Sequence, residues 1–252
     1  MLYFLAILSG ILPALILVGF IYWKDKYQRE PWRWIAKAFW FGALSCIPAL
    51  FIEFSWPELH QPVTESIIGA VYDSFLTVAL SEESMKFLFF WLLVRNNPYF
   101  DERMDGIVYA ACVGLGFAGL ENISYLLVCL DDLEDFALVG IFRAFLSVPG
   151  HFLYAVFMGY YYSLAVFGPK HLRVRRMITA FIAPLLFHGI FDCTLLSLDM
   201  DPVIEFVATI GFIALSIYMW TVGHKRMHAL LAKDNETIFQ KTDIKENESS
   251  SE

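Results

Sequence analysis

Two short patterns place residues that could perform acid–base or metal chemistry within otherwise apolar sequence. In the first, Glu82 and Lys86 are four positions apart, so a helix would place both on one face, where they can pair. Glu83 would point about 100° away from Glu82. In the second, His188 and Asp192 are one helical turn apart, a spacing suited to joint metal ligation or hydrogen bonding. Carboxylates beside a histidine can activate water for hydrolysis, directly or through a metal ion.

A third acidic position follows a stretch that is rich in glycine. Glu121 and Asn122 come soon after Gly114, Gly116 and Gly119. Small residues at such positions let a neighbouring helix approach closely within a membrane. The sequence therefore predicts that Glu121 lies on a helix packed tightly against another one.

The composition indicates which elements must hold these residues. Of the 252 residues, 58% are hydrophobic and 17% are charged, and the mean hydropathy is +0.56. Such a chain lacks the polar surface of a soluble domain, and its net charge of -8 argues against a nucleic-acid partner. We therefore expect an all-α, polytopic membrane helix bundle in contact with the lipid bilayer, because isolated strands would leave backbone groups unpaired in lipid.

Seven apolar stretches have the length of about 20 residues that a transmembrane helix needs. They are Leu2–Trp23, Ile35–Trp56, Ile67–Val94, Ile107–Cys129, Phe136–Phe167, Ile178–Leu198 and Pro202–Gly223.

The basic residues alternate between the two sides of this predicted bundle. Counted with the first turn of the span that follows, the connections after spans one, three and five hold five, two and four of the 18 Lys and Arg, and five more follow span seven. The loops after spans two, four and six hold none. The positive-inside rule then predicts an N-terminus outside and a C-terminus in the cytoplasm. Residues 1–228 are expected to form the bundle, and residues 229–252 a polar, disordered cytoplasmic tail.

Three of the spans bring ionisable groups to a similar depth. At 1.5 Å per helical residue, Glu82 lies about 20 Å from the cytoplasmic end of its span, His188 about 18 Å and Glu121 about 24 Å. An ionisable group at the bilayer centre costs at least about 2.5–3.5 kcal/mol. Clustered carboxylates cannot all be ionised in such a medium, so at least one should keep its proton and be able to act as a general acid or base.

Two residues of the fifth span allow a structural interpretation as well as a functional one. His151 follows Pro149 and Gly150, which should kink the helix. It would be either a hydrogen-bonded histidine behind the kink or a group that supports the site or gates the substrate. Arg143, nearer the outer end, could reach Asp135 or the lipid headgroups.

The residues alone leave two other functions open. A proton- or ion-coupled transporter could use the same acids as a relay, although the acids cluster at one level and no internal repeat is evident. A non-catalytic scaffold could use the polar pairs to hold its helices together. The H-E-x-x-H motif of many zinc proteases does not occur in the sequence.

In this order, the motifs resemble those of the PrsW family of bacterial intramembrane proteases, which is distantly similar to the CAAX prenyl endopeptidases. The resemblance extends over nearly the whole chain. The matching segments are Tyr22–Pro31, the E-E-x-x-K of Glu82–Lys86, Phe100–Tyr109, the F-x-x-x-E-N of Phe117–Asn122, Arg143 with His151, and the H-x-x-x-D of His188–Asp192.

The resemblance implies a multi-pass protease of the bacterial cell membrane. It would make the first, site-1 cut in a single-span anti-sigma factor, on the extracytoplasmic side, and so start the stress response that frees a sigma factor. Glu82 would activate water, Glu83 and Lys86 would organise it, and His188 and Asp192 would hold the substrate carbonyl or its oxyanion. The implied catalytic residues are Glu82, Glu83, Glu121, His188 and Asp192, and the supporting residues are Lys86, Asn122, His151 and Arg143.

The need for a cofactor remains open at the level of the sequence. Glu121, His188 and Asp192 are acceptable ligands for zinc, and an oxygen-rich site suits other divalent ions as well. Catalysis by a divalent metal such as zinc and metal-free catalysis by a glutamate are both compatible with these residues.

Overall fold

The computed structural model describes residues 2–26, 28–59, 66–198 and 200–249. It is 89% helical, and no strand occurs among the described residues. The prediction of an all-α membrane bundle is confirmed. The helices are α1 (Leu2–Lys24), α2 (Trp32–Leu59), α3 (Ile67–Tyr72), α4 (Leu80–Val94), α5 (Arg103–Val128), α6 (Leu133–Phe142), α7 (Val148–Phe167), α8 (Arg173–Leu196) and α9 (Pro202–Ser249).

Six helical stretches of the described chain are long and apolar enough to cross a membrane. They correspond to all the predicted spans except the third. That span is helical from Ile67 to Val94 without a break, but the charges of Glu82, Glu83 and Lys86 make it less apolar than the others. The count of seven spans and the orientation of the termini stay predictions. Large apolar side chains such as Phe4 and Phe206 are exposed on the outside of the bundle, as lipid-facing residues are.

Helix α5 forms the centre of the bundle. Every residue from Met104 to Gly119 is buried. A Cβ atom at Gly116 would lie 2.7 Å from the carbonyl carbon of Phe39 in α2, and one at Gly42 of α2 would lie 2.7 Å from that of Val113 in α5. The two backbones therefore touch, which is the close approach that the glycine-rich stretch predicts.

Two π-helical segments lead into the helices that carry the predicted site. The first, Asp73–Ala79, joins α3 to α4, and the second, Arg143–Ser147, joins α6 to α7. Pro149 explains the second one, because proline lacks a backbone N–H and its ring clashes with the preceding turn, so the helix widens where a kink is predicted. The first segment contains no proline or glycine. The ring of its Phe75 packs directly against the backbone of Gly189 in α8, where any larger residue would place a side chain.

The chain after the last span continues as helix, where the sequence predicts a disordered tail from residue 229. Helix α9 extends to Ser249, and Leu230, Leu231 and Asp234 are buried. Both carboxylate oxygens of Asp234 accept hydrogen bonds from the first backbone N–H groups of α5, at 3.1 Å from Arg103 and 2.8 Å from Met104. Asp234 thus caps the central helix, and this contact orders the extension.

Candidate active site

Lys86 of α4 lies at the centre of a buried polar cluster. Its Nζ donates hydrogen bonds to Glu82 Oε2 and to Glu83 Oε1, both at 2.8 Å, and lies 2.9 Å from Nδ1 of His151 in α7. The ring of Phe117 in α5 packs against the ammonium, with 4.0 Å from Nζ to the ring centroid. The ammonium group of Lys86 therefore pairs with both buried carboxylates. Buried charges need such partners, because their removal from water is costly.

His188 of α8 connects this cluster to Asp192. Its Nδ1 lies 2.9 Å from Glu83 Oε1, and its Nε2 lies 3.1 Å from Asp192 Oδ2. His188 and Asp192 thus meet one helical turn apart, as their spacing predicts. Glu82 Oε2 is 3.9 Å from His188 Nε2 and 4.0 Å from His151 Nδ1. These last two distances are too long for a direct hydrogen bond, so a polar link between these groups would run through a water molecule.

Glu121 of α5 has its own set of partners. Its Oε2 lies 2.8 Å from Nη2 of Arg143 and 2.9 Å from Nε2 of His151. Arg143 also donates through Nε to Oδ1 of Asn122 at 2.7 Å, and its guanidinium stacks over the ring of Tyr125. The side chain of Arg143 therefore points into the bundle, where Glu121 and Asn122 bind it. It does not reach out to Asp135 or to the lipid headgroups, as its position in the span would also allow.

The nine residues singled out in the sequence form one connected network. It is carried by α4, α5, the second π segment, α7 and α8. His151 lies inside the network, between Lys86 and Glu121, and not merely behind a kink. The similar depths that the sequence predicts for three spans thus correspond to direct contacts between their side chains.

The network borders a cavity of about 210 Å³. Glu82, Glu121, His188 and Asp192 contribute to its wall, and the wall extends along α8 to Leu196. On the predicted orientation, Leu196 lies at the outer end of α8. The buried carboxylates and the end of α8 therefore border the same space.

Sequence reasoning missed two residues of this region. The ring of Tyr154 stacks on His188 at a centroid distance of 4.7 Å, and its buried hydroxyl has no hydrogen-bond partner in the described part of the chain. Tyr154 is three residues after His151, a spacing that places both on one helix face and could have identified it. Glu53 of α2 accepts a hydrogen bond of 2.8 Å from Ser81, and as an ionisable residue inside a predicted span it also carried a signal.

Four residues of the centre could hold a metal ion. Donor atoms of Glu82, Glu83, His151 and His188 all lie within 4.8 Å of one another. Two imidazoles and two carboxylates are ordinary zinc donors, and Glu83 Oε2 is buried without a hydrogen-bond partner among the described residues. When the histidines are neutral and all four predicted site carboxylates are ionised, their charge exceeds that of Lys86 and Arg143 by the charge of one divalent ion, so a bound ion would let every carboxylate lose its proton. The residues fit such an ion by type and charge, although Lys86 competes for three of them.

These four residues differ from the metal ligands predicted from the sequence, which are Glu121, His188 and Asp192. The two sets share His188, whereas Glu121 is engaged by Arg143 and His151, and Asp192 contacts Nε2 of His188.

Comparison with known proteins places this site in a family. A family model described as "PrsW family intramembrane metalloprotease" matches residues 30–221. Protease PrsW of Geobacillus kaustophilus is 37% identical over 195 residues, which cover 77% of this chain and 81% of the relative. Protease PrsW of Bacillus subtilis is 36% identical, covering 78% and 85% of the two chains, and that of Clostridioides difficile is 32% identical, covering 92% and 94%. No solved structure matches the chain.

These matches favour the protease over the transporter, and they agree with a multi-pass protein of a bacterial membrane. The network of buried acids and histidines, the membrane helices around it and the family match lead to one conclusion: the chain belongs to the PrsW family of intramembrane proteases.

Proposed function

We propose that the buried network hydrolyses a peptide bond in a single-span membrane protein, close to the outer face of the membrane. The observation that carries this proposal is the position of Glu82. Glu82 borders the cavity, its Oε2 is fixed by Lys86, and this oxygen lies 4.0 Å from Nδ1 of His151 and 3.9 Å from Nε2 of His188. An anti-sigma factor is the proposed natural substrate, on the resemblance to the family.

Glu82 would act as the general base. It takes a proton from water while the water oxygen attacks the carbonyl carbon of the substrate. It returns that proton to the leaving amine nitrogen when the C–N bond breaks. Lys86 holds the Glu82 carboxylate in place and stabilises the negative charge that develops nearby.

Asp192 would orient His188 instead of contacting the oxyanion. An ionised carboxylate would repel the oxyanion, and the 3.1 Å contact between Asp192 Oδ2 and His188 Nε2 gives it another role. Tyr154 lines the same cavity, and its buried hydroxyl has no partner among the described residues. Tyr154 is therefore the proposed donor to the substrate carbonyl.

A divalent metal ion such as zinc is the proposed cofactor, supported by the family description and by the four clustered donors. Glu83, His151 and His188 would hold it, which leaves Glu82 free to act as the general base. When bound, the ion would polarise the carbonyl or acidify the attacking water. Arg143 would keep Glu121 directed at His151 and so fix the imidazole that faces the ion.

The experiment is co-expression with tagged single-span membrane proteins, anti-sigma factors included. Wild type is compared with Glu82→Gln and His188→Ala, and with Glu134→Gln, which changes an exposed glutamate at the start of α6. We expect a truncated product with wild type and Glu134→Gln and none with the two site variants. A product that persists in a well-folded Glu82→Gln variant would refute the assigned base.

Metal content is measured separately on the purified proteins. One bound divalent ion per wild-type chain, lost together in His151→Ala and His188→Ala, is the expected result. Cleavage by a purified, metal-free enzyme in the presence of a chelator would refute the cofactor and leave the glutamate mechanism intact.

A further inference from the structure

A second cavity, of about 400 Å³, lies between the end of α1 and the extension of α9. Lys24, Lys26 and Arg29 line it from α1 and the connection that follows. His228 and Asn235 line it from α9. Cations from one connection and polar groups from a distant helix thus converge on a single space that the protease network does not use.

The described lining of this cavity carries a net positive charge, because it includes three cations and no carboxylate. Of the acids adjacent in sequence to these residues, Asp25, Glu30 and Asp234 are buried, and Glu236 is exposed. Asp234 is bound to Arg103 and to the start of α5. Burial and the nearby charge of Glu30 raise the pKa of Asp25 to about 7, which reduces its negative charge near neutral pH.

The position of the cavity corresponds to the membrane surface. Trp23, which is 65% exposed, lies at its edge, and Leu231 and Ala232 add an apolar wall. Tryptophan prefers the level of the lipid headgroups. On the predicted orientation, this is the inner leaflet. A water molecule takes up about 30 Å³, so the cavity has room for a group of about a dozen non-hydrogen atoms.

We propose that this cavity binds the phosphodiester headgroup of an anionic glycerophospholipid, such as phosphatidylglycerol. Lys24 and Lys26 would contact the phosphate oxygens as point charges, and the guanidinium of Arg29 could bind two oxygens at once. Trp23 and Leu231 provide the apolar edge that a lipid needs and a soluble phosphate does not. Basic pockets at the cytoplasmic ends of membrane helices suit such headgroups. The proposal is independent of the proteolytic activity.

The test is a titration of the purified full chain with short-chain phosphatidylglycerol, followed by native mass spectrometry and by melting in detergent. Parallel titrations use short-chain phosphatidylcholine and inorganic phosphate. Lys24, Lys26 and Arg29 are replaced together by glutamine. Each cation near an anionic headgroup contributes about fivefold in affinity, so we expect at least a ~10-fold loss for phosphatidylglycerol and no retained phosphatidylcholine.

The matched control is Lys170→Gln with Arg173→Gln and Arg175→Gln, three exposed cations at the start of α8 and on the same predicted side. We expect this variant to bind like wild type. An equal loss in both triple variants would show a response to net charge and would overturn the proposal. Binding of inorganic phosphate as tight as that of the lipid would overturn the lipid assignment. If the triple variant does not fold, Arg29→Gln alone should still weaken binding about fivefold, and unchanged binding would count against the site.

Discussion

Replacement of Gly116 by alanine should separate α2 from α5 and displace the site. The new Cβ would lie 2.7 Å from the carbonyl carbon of Phe39, whereas carbon atoms in contact are normally about 3.5–4.0 Å apart. The helices must therefore move apart by about 1 Å. Overpacking of this kind costs about 1–3 kcal/mol. Because α2 also contacts α4, through the Glu53–Ser81 hydrogen bond, the shift would reach the helix that carries Glu82.

Gly119→Ala is the matched control on the same helix. A Cβ at Gly119 would have its nearest neighbours at 3.6 Å, which is ordinary contact, and alanine favours the helix by about 1 kcal/mol. We expect the apparent melting temperature of Gly116→Ala in detergent to fall several degrees below that of Gly119→Ala, at about 2–4 °C per kcal/mol. A misplacement of about 1 Å can cost about 100-fold in rate, so cleavage should fall at least ~10-fold in Gly116→Ala alone. Equal melting temperatures and equal rates in the two variants would refute this reasoning.

Other predictions follow from single contacts. Tyr154→Phe should reduce the cleavage rate without lowering the melting temperature, because the ring remains and a buried unpaired hydroxyl is removed; an unchanged rate would contradict its role as a donor. Arg143→Lys should lower both stability and rate, since one ammonium cannot replace the paired contacts to Glu121 and Asn122; the loss should be about 1.5–3 kcal/mol, measured by denaturant unfolding. The pKa of Asp25 is raised to about 7 by burial, so the contribution of this group to stability should be complete below pH 4 and be lost as the pH rises through about 7. Asp25→Asn should make stability less dependent on pH in this range, where Glu30 and Glu102 also titrate, and should melt higher than wild type at pH 8.

The helices and the convergence of the buried ionisable residues could be predicted from the sequence, because both depend on local spacing. A rise of 1.5 Å per residue gives the depth of each ionisable group, and the structure brings Glu82, Glu121 and His188 into one network. The glycine run likewise indicated a close helix contact, which exists between α5 and α2.

The specific partners could not be predicted, because they depend on how the helices rotate and tilt against one another. From its position in the span, the side chain of Arg143 could point outward to the headgroups or inward to the bundle. In the structure it points inward and contacts Glu121. The first π-helical segment contains no proline or glycine from which it could have been predicted. The sequence of the α9 extension resembles a polar tail, because its main polar contact joins Asp234 to a helix 130 residues earlier in the chain and leaves no local pattern.

The contacts of helix α5 hold the buried charged residues of the bundle in position. Its first turn is capped by Asp234, its middle touches α2 without intervening side chains, and its last turns present Glu121 to Arg143 and His151. Each contact restricts a different motion of α5. The cap limits sliding along the helix axis, the contact with α2 fixes the distance to that helix, and the contacts of Glu121 limit rotation of the helix. Catalytic groups must stay within about 0.5 Å of their working geometry. The cap formed by Asp234 is therefore part of the same mechanical unit as the buried network. Asp234→Asn should lower the rate of cleavage even though, among the described residues, Asp234 has no contact with that network.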